Sequence, residues 1–362
     1  MALDLDVYNV KRGFERVNEL RDLARATMSI DFLRHARRAL LPLPVVDGPV
    51  PAPGPVLPRF RARPVPALRG KRVAVVATGG AGACVSLVGA VRALEEAGVE
   101  PAFISACSGS VIWSAMWATG ASADEMADFS LTWQPEQYLD MQWTRLPRFA
   151  LSALRGFTGM MKGEAVERLF EARLGARPVG ELAIPLSTIV YNMDLGLVEY
   201  MGTGTTPEVP LGRLVRIGIA LPVFIEAVPV RGHLYVDGGI VDLFPMEPVL
   251  AGDFDHVIGL NVMLPPHLEP RDLTGWQDSR LGILEASRQL QQGYHLEFAR
   301  RARRRLGDAL TLVDVADHRL CRGVDFYDLF IDRSRWPELI REGHRRTHAA
   351  LEPLRARRAA TA

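Results

Sequence analysis

Apolar residues recur near the start of the chain at the spacing of an amphipathic helix. Val10, Phe14 and Val17 lie three or four positions apart, with arginines and acidic residues between them. We expect residues 1–41 to form an N-terminal helical extension that packs on its own domain, joins two copies of the chain in a homo-oligomer, or contacts a membrane surface. Residues 42–70 are predicted to be an extended, proline-rich linker, because nine of the chain's 25 prolines fall there.

Beyond residue 70 the pattern changes to short apolar runs that alternate with longer amphipathic stretches. The short runs predict strands at residues 72–77, 102–105, 186–193, 196–201, 225–230 and 256–262. The longer stretches predict helices at residues 87–98, 109–119, 280–305 and 336–358. This alternation predicts an α/β domain over residues 71–349, with a largely parallel central sheet flanked by helices, before a basic tail at residues 350–362.

Composition and charge narrow the class of protein. With 48% hydrophobic residues and a net charge of +1, the 362-residue chain is typical of a globular protein that has no nucleic-acid partner. Its three cysteines form no CxxC pair and we find no metal-ligand spacing among its eight histidines, so we expect no disulfide framework, metal or cofactor. Because no secretory signal or long apolar segment is present, we expect a cytoplasmic protein.

A run of five arginines at residues 300–305 is the strongest local concentration of charge. Such a run usually forms a solvated helix face. The alternative is contact with an acidic partner, of which anionic lipid head groups are the most plausible, and the protein would then associate peripherally with a membrane.

Candidate chemistry begins with the glycine-rich segment TGGAGAC, residues 78–84, between a predicted strand and a predicted helix. Glycines allow a tight turn in which several backbone N–H groups face open space at a helix N-terminus. Such a turn can hold a phosphate or a developing oxyanion. Taken alone, the same pattern also fits a degenerate dinucleotide-binding turn or a turn without any ligand.

The second segment, SACSGSV at residues 105–111, places Ser108 at another strand–turn–helix junction. A nucleophile elbow needs small residues around the serine, because its sharp turn brings backbones close together. Gly109 satisfies that need, while Ala106 and Ser110 stand where the G-x-S-x-G pattern has glycines. Ser108 is therefore a candidate nucleophile in a degenerate elbow.

The third segment is YVDGGIVDLFP, residues 235–245. Asp237 follows a short apolar run that predicts a strand, and Gly238 and Gly239 give the backbone unusual freedom directly after it. Alone, such a DGG sequence is most often a turn. Beside a candidate nucleophile it becomes a candidate general base.

Together, the three segments resemble the patatin-like phospholipase family, and the similarity extends over roughly residues 71–349. The resemblance implies the patatin-like fold and a Ser–Asp dyad, with Ser108 as nucleophile and Asp237 as base. It also implies an oxyanion loop formed by four consecutive residues: Gly79, Gly80, Ala81 and Gly82. The implied activity is hydrolysis of fatty acyl esters of lipids, of the phospholipase A or lysophospholipase kind, through an acyl-enzyme.

The chain also departs from the family's pattern. Ala83 and Cys84 stand where the oxyanion loop usually carries a basic residue and a glycine. Two alternatives therefore stay open: an acyltransferase that passes the acyl group to an acceptor other than water, and a weakened member that binds lipid without turnover. A Ser–His–Asp triad would need a histidine downstream of Asp237. We interpret all six downstream histidines as structural or solvated: His256, His267, His295, His318, His344 and His348.

Aromatic and methionine residues crowd the segment at residues 129–161 without a clear period. The simpler interpretation is a satellite core over the sheet. The functional one is a lid or acyl-chain channel lined by Trp133, Trp143 and Phe149.

Overall fold

The structure is a computed structural model that describes residues 55–140, 159–269, 282–321, 329–330 and 333–356. The chain divides into two compact units, and every described residue belongs to the second, Pro49–Ala362. The predicted N-terminal extension at residues 1–41 and the predicted lid residues Trp143 and Phe149 lie outside the described residues.

Ten strands and nine α-helices make up the described part of the chain, besides short 3₁₀ turns. The strands are β1 (Val73–Ala77), β2 (Pro101–Ala106), β3 (Gly159–Met161), β4 (Leu186–Asn192), β5 (Leu197–Gly202), β6 (Val223–Ile225), β7 (Val228–Val230), β8 (His233–Asp237), β9 (His256–Asn261) and β10 (Leu310–Asp314). The helices are α1 (Ser86–Glu96), α2 (Ser110–Ala118), α3 (Ala123–Thr132), α4 (Pro135–Tyr138), α5 (Glu164–Leu174), α6 (Leu211–Gly218), α7 (Glu247–Leu250), α8 (Gly282–Leu306) and α9 (Trp336–Ala356).

Eight of the strands form one sheet in the order β10-β9-β1-β2-β4-β8-β7, with β5 paired to β4. The five strands from β10 to β4 are parallel, whereas β5, β7 and β8 join by antiparallel pairing. Strand β1 is buried along its whole length, as expected of a central parallel strand with both faces covered. The predicted α/β class with a largely parallel sheet is confirmed.

Two strands approach the same edge of β4 from opposite directions. Strand β2 runs parallel to β4, and its last residue, Ala106, pairs with Thr188. Strand β8 runs antiparallel to β4, and its last residue, Asp237, pairs with Val190. Because β5 covers the other edge of β4, the carboxyl ends of β2 and β8 meet two residues apart. This meeting of strand ends creates the candidate site.

Several elements differ from the sequence-based expectations, since β3, α3, α5 and α6 were not predicted. The predicted strand at residues 225–230 is two strands, β6 and β7, and they belong to different sheets. Strand β10 was not predicted, because four of its five residues are only partly buried and its pattern is not that of a core strand. Helix α9 continues to Ala356 and buries Leu351, so the predicted basic tail begins inside a packed helix.

The described end of the proline-rich segment is part of the domain. Its apolar residues Val56, Leu57, Val65 and Leu68 are buried in the main core. Backbone hydrogen bonds tie the segment to the end of α1, with the N–H of Val65 donating to the carbonyl of Ala97 at 3.0 Å. Residues 55–65 lie outside helices and strands and Pro66–Leu68 form a short 3₁₀ helix, so the segment packs on the domain instead of only connecting it to the N-terminal extension.

None of the helices in the described residues has both the length and the apolar composition needed to cross a bilayer.

Candidate active site

Ser108 lies two residues beyond the end of β2, in a strained backbone conformation. Its φ angle is +53°, a left-handed value that a residue with a side chain rarely adopts. The Oγ of Ser110 holds the turn: it lies 2.7 Å from the carbonyl of Cys107 and accepts from the N–H of Cys107 at 3.0 Å. The serine that replaces the second elbow glycine therefore braces the turn, and helix α2 begins at that same residue.

Asp237 ends β8 and is fully buried beside Ser108. Its Oδ1 accepts a hydrogen bond from the N–H of Gly239 at 2.8 Å. Within the described residues, its Oδ2 has no partner of full hydrogen-bonding geometry, although the Ser108 hydroxyl is near enough to lower the pKa of the carboxyl. Catalytic hydrogen bonds are often long or misaligned before substrate binds. The arrangement is that of a serine hydroxyl beside a buried carboxylate that keeps one oxygen unpaired in the described residues.

Burial dominates the electrostatics of this carboxylate. Desolvation raises the pKa of Asp237 to about 6, and the hydrogen bonds from Ser108 and Gly239 offset only part of that rise. A second carboxylate in the same loop, Asp242, also has a pKa raised by burial to about 6, with Glu247 adding to the rise. Asp242 accepts from the N–H of Phe244 at 2.9 Å, and Ser108 is not among the causes of its pKa shift.

The glycine-rich loop lies directly against the elbow. A Cβ at Gly79 would stand 3.0 Å from the Cβ of Ser108, and a Cβ at Gly109 would stand 2.5 Å from the carbonyl oxygen of Ala81. Side chains at these two glycines would separate the loop from the elbow. The loop is also strained, because Ala81 has a left-handed φ of +45°.

Among the four predicted oxyanion residues, some backbone N–H groups already donate to the protein and others are left to bind an oxyanion. Gly79 donates its N–H to the carbonyl of Leu243 at 3.2 Å, and Gly80 accepts from the N–H of Ala83 at 3.1 Å. In the part of the chain that the structure describes, no acceptor is found for the N–H groups of Ala81 and Gly82. The same holds for Gly109, the residue after the candidate nucleophile. The sequence had suggested only a role in the turn for Gly109. In many serine hydrolases, however, the N–H of the residue after the nucleophile donates to the oxyanion.

Other residues of the three motifs support this geometry. Gly238 packs on β4, where a Cβ would stand 2.7 Å from the backbone N of Val190. Ala106 and Cys84 are buried, and the Cys84 thiol lies 3.8 Å from the carbonyl of Thr78. Burial raises the pKa of the Cys107 thiol far above its ordinary value, so this neighbour of Ser108 stays protonated.

A buried histidine on α8 supports the loop behind the site. His295 is 2% exposed, and hydrogen bonds tie its ring to the backbone of Val241 and Leu243, with Nδ1 accepting from the N–H of Leu243 at 3.3 Å. Desolvation lowers its pKa to about 4, so the ring is neutral at physiological pH. Since the carbonyl of Leu243 accepts the N–H of Gly79, His295 is linked to the oxyanion loop. No sequence signal distinguished it from the other histidines.

A histidine that completes a Ser–His–Asp triad is not found among the described residues. The carboxylate of Asp237 accepts a hydrogen bond from Gly239, and the Ser108 hydroxyl is the side chain near enough to lower its pKa. His256 bonds Thr311 on the far side of the sheet from β8, four strands away. The Ser108–Asp237 dyad stays a prediction.

Trp133, the one predicted lid residue that is described, lies in an aromatic cluster. It is 2% exposed. Its ring centroid lies 4.8 to 6.4 Å from those of four aromatic residues: Phe129, Tyr138, Phe170 and Trp336. These contacts are those of a packed satellite core, and a role in an acyl channel stays a prediction.

Comparison with known proteins finds a family similarity. The sequence profile described as "Patatin-like phospholipase" matches residues 75–250, which include the glycine-rich loop, the elbow and Asp237. Over these residues the chain is similar to the patatin-like phospholipase family. This confirms the resemblance predicted from the three motifs.

Relatives of the patatin-like domain occur in bacteria and animals. An uncharacterized NTE family protein of Mycobacterium tuberculosis is 26% identical over 210 residues, which are 58% of this chain and 53% of that protein. The human patatin-like phospholipase domain-containing protein 6 is 24% identical over 217 residues, which are 59% of this chain and 15% of that protein. The match therefore spans about half the length of the bacterial relative and a small part of the animal one.

Solved structures show a remote similarity. VipD from Legionella pneumophila is 14% identical, with a TM-score of 0.48 over 78% of this chain and 67% of that chain. The type III effector protein ExoU is also 14% identical, with a TM-score of 0.39 over 79% of this chain and 53% of that chain.

Proposed function

We propose that this protein is a serine acyl hydrolase that cleaves fatty acyl esters of lipids through a Ser108–Asp237 dyad. The observation that carries the proposal is the pairing of a strained, left-handed Ser108 with a fully buried carboxylate whose Oδ2 has no other partner in the described residues. Strain and an unsatisfied buried charge both cost stability, and they are typical of sites kept for chemistry.

The proposed reaction begins with attack of Ser108 Oγ on the ester carbonyl carbon, while the hydroxyl proton passes to Asp237 Oδ2. The carbonyl electron pair moves to its oxygen, and the resulting oxyanion is met by the free N–H groups of Ala81, Gly82 and Gly109. One such donor typically contributes about 2.7–4 kcal/mol. Collapse of the tetrahedral intermediate expels the alcohol, which takes the proton from Asp237 and leaves an acyl-serine.

Deacylation uses the same groups. Asp237 takes a proton from water as the water oxygen attacks the acyl carbon. The second tetrahedral intermediate then breaks its bond to Ser108 Oγ, which takes the proton from Asp237 as the fatty acid is released. A carboxylate with a pKa of about 6 suits both steps. It is mostly ionised at neutral pH, and it is more basic than an ordinary aspartate.

The test is labelling with a fluorophosphonate probe, together with turnover of p-nitrophenyl esters and of phosphatidylcholine vesicles. We expect Ser108→Ala to abolish labelling. We expect Asp237→Asn to reduce both labelling and kcat/KM by about 10³-fold or more.

The chain offers a matched control for each variant. Ser105 is a buried serine three residues from Ser108, and its Oγ donates to the carbonyl of Pro245 at 2.7 Å. Asp242 is a partly buried carboxylate whose pKa is also raised to about 6. Ser105→Ala and Asp242→Asn should keep labelling, provided that their circular dichroism is native. Labelling of folded Asp237→Asn at the wild-type rate would refute the dyad. Ester turnover without phospholipid turnover would leave the dyad intact and refute the lipid substrate.

A further inference from the structure

A cluster of three residues that can bind a metal ion lies on helices α1 and α9. Glu96 is the last residue of α1, and His344 and His348 stand one turn apart on α9. The Nε2 atoms of the two histidines lie 2.9 and 2.6 Å from Glu96 Oε2. One ligand atom from each of the three residues lies within 4.8 Å of the others. The H-x₃-H spacing is a metal-ligand spacing that our sequence analysis missed, because arginines flank it.

Close packing fixes the two helices that carry the cluster. A Cβ at Gly89 would collide with the carbonyl oxygen of Ile340, and a Cβ at Gly343 would collide with that of Ser86. The helix backbones are therefore in direct contact. Since Gly343 directly precedes His344, this contact limits how far the ligands can move apart. The donors are held close together before any ion arrives.

The surroundings of the cluster also suit an ion. The second carboxylate oxygen of Glu96 accepts the N–H of Arg61 at 2.9 Å, which orients the group as outer hydrogen bonds orient metal ligands. The Glu96 and His348 side chains are 2% and 10% exposed, whereas that of His344 is 16% exposed. An ion and one water molecule can therefore reach the cluster from the side of His344.

We propose that Glu96, His344 and His348 form a zinc site that joins α9 to α1. Two imidazole nitrogens and one carboxylate oxygen make a donor set that tetrahedral Zn²⁺ accepts, with water as the fourth ligand at Zn–N and Zn–O distances of about 2.0–2.2 Å. The site is separate from the dyad, and its role is structural. It rests on these three side chains and not on the proposed hydrolase activity.

Zinc binding requires the imidazole protons to move. Without zinc, each Nε2 donates its hydrogen to Glu96, and His348 Nδ1 lies 3.2 Å from an Nη atom of Arg355, which has only hydrogens to offer. Coordination through Nε2 moves the His348 proton to Nδ1, where it would face that guanidinium. Arg355 must therefore turn away, and its ion pair with Glu352 at 2.7 Å can hold it. Arg355 is thus a competitor of the ion.

The experiment is calorimetric titration of tag-free, EDTA-treated protein with Zn²⁺, repeated with Co²⁺ and followed by visible absorption. We expect one ion per chain, tetrahedral Co²⁺ bands, and loss of at least tenfold in affinity in His344→Gln and in His348→Gln. Arg355→Gln should bind at least tenfold more tightly, because a glutamine oxygen can accept the new Nδ1–H. A gain in affinity cannot result from misfolding.

The matched control is His233→Gln, which changes a partly exposed histidine on β8, at its ion pair with Asp194. It should leave zinc affinity unchanged. Equal binding by wild type and both cluster variants would overturn the proposal, and so would absence of binding. A Co²⁺–thiolate charge-transfer band would also overturn it, because it would assign the ion to cysteine.

Discussion

Two buried carboxylates in this domain, Asp237 and Glu96, differ in their hydrogen-bond donors and in the direction of their pKa shifts. Asp237 has one backbone donor on Oδ1 and a serine that does not complete a full hydrogen bond to Oδ2. Glu96 accepts one backbone N–H on Oε1 and faces two imidazole nitrogens on Oε2. Burial raises the pKa of Asp237 to about 6. Burial also acts to raise the pKa of Glu96, but its hydrogen bonds outweigh that effect and the pKa is lowered.

This difference in hydrogen bonding makes one carboxylate suited to proton transfer and the other to stabilising the fold. A carboxylate that accepts hydrogen bonds on both oxygens is stabilised as an anion and holds its neighbours in place. A buried carboxylate with one oxygen that accepts no hydrogen bond stays more basic and can accept a proton from a substrate. In each case the surrounding backbone sets the outcome. Asp237 lies where two strand ends meet and leave few donors. Glu96 lies where a helix end, a second helix and the proline-rich segment at residues 55–70 converge. The predictions below test whether the two groups differ in this way.

The largest effect on stability is expected at Glu96. In metal-free protein, Glu96→Ala removes the acceptor of one buried and two partly buried hydrogen bonds, and such losses typically cost about 3–5 kcal/mol. The measurement is urea unfolding followed by circular dichroism. The control is Glu342→Ala, which removes a partly exposed carboxylate paired with Arg345 and Arg346 and should cost less than about 1 kcal/mol. Equal losses in the two variants would contradict the contrast drawn above.

At Asp237 we expect a substitution to increase the free energy of unfolding, not to lower it. Its pKa is about 6 in the folded protein against an ordinary value of 3.8, so the folded state holds the proton more tightly than the unfolded chain does. Ionisation therefore lowers the free energy of unfolding as the pH rises from about 4 to about 6, and above that range the cost is about 3 kcal/mol. Asp237→Asn avoids this cost and should be more stable than wild type at pH 8 by up to that amount.

Unfolding curves of both proteins at pH 4 and pH 8 measure the effect. The stability difference should vanish near pH 4, where Asp237 is protonated. Asp242→Asn should show a similar pH-dependent gain, because its pKa is raised in the same way. A gain for Asp237→Asn that is the same at both pH values would mean that a cause other than ionisation stabilises the variant.

A smaller effect is expected at His295, which contacts the loop between the two motifs. His295→Phe removes the acceptor for Leu243 N–H and frees the residue whose carbonyl holds Gly79. We expect kcat for ester hydrolysis to fall about tenfold with little change in KM, because the loop that stabilises the transition state is less well fixed. His295→Asn places a polar atom near the position of Nδ1 and should restore most of the rate. Loss of melting temperature with kcat unchanged would mean that His295 is only structural.

Local sequence signals placed the candidate nucleophile and base, but not their surroundings. A strand followed by small residues and then a helix is a short-range pattern, and it located Ser108 and Asp237 without any knowledge of the fold. That β2 and β8 share one edge of β4 is a property of the sheet, and no local pattern contains it. The bonds that Ser110 makes within its own turn, and the N–H of Gly79 already bound to Leu243, likewise appear only in three dimensions.

Long-range pairs were the least accessible to sequence analysis. Glu96 and His348 are 252 residues apart, and the arginines around His344 and His348 suggested a solvated helix face. Helix α9 nevertheless turns these two histidines toward α1 and its arginines toward other partners. Similarly, the prolines of the linker suggested only an extended chain, while the few apolar residues between them determined where that chain packs.

The smallest effect is expected at Trp133, and it tests whether the aromatic cluster belongs to the acyl site. In the described residues the indole Nε1 of Trp133 is buried without a hydrogen-bond partner. Trp133→Phe removes that unsatisfied donor but leaves a small cavity, and the two effects nearly cancel, so the free energy of unfolding should change by less than about 1 kcal/mol. The neighbours of Trp133 are other core rings. We therefore expect the variant to prefer p-nitrophenyl esters of four to sixteen carbons in the same order as wild type. A shift of the preferred chain toward longer esters would instead place this ring in the acyl channel, because a cavity beside a channel admits more of the chain.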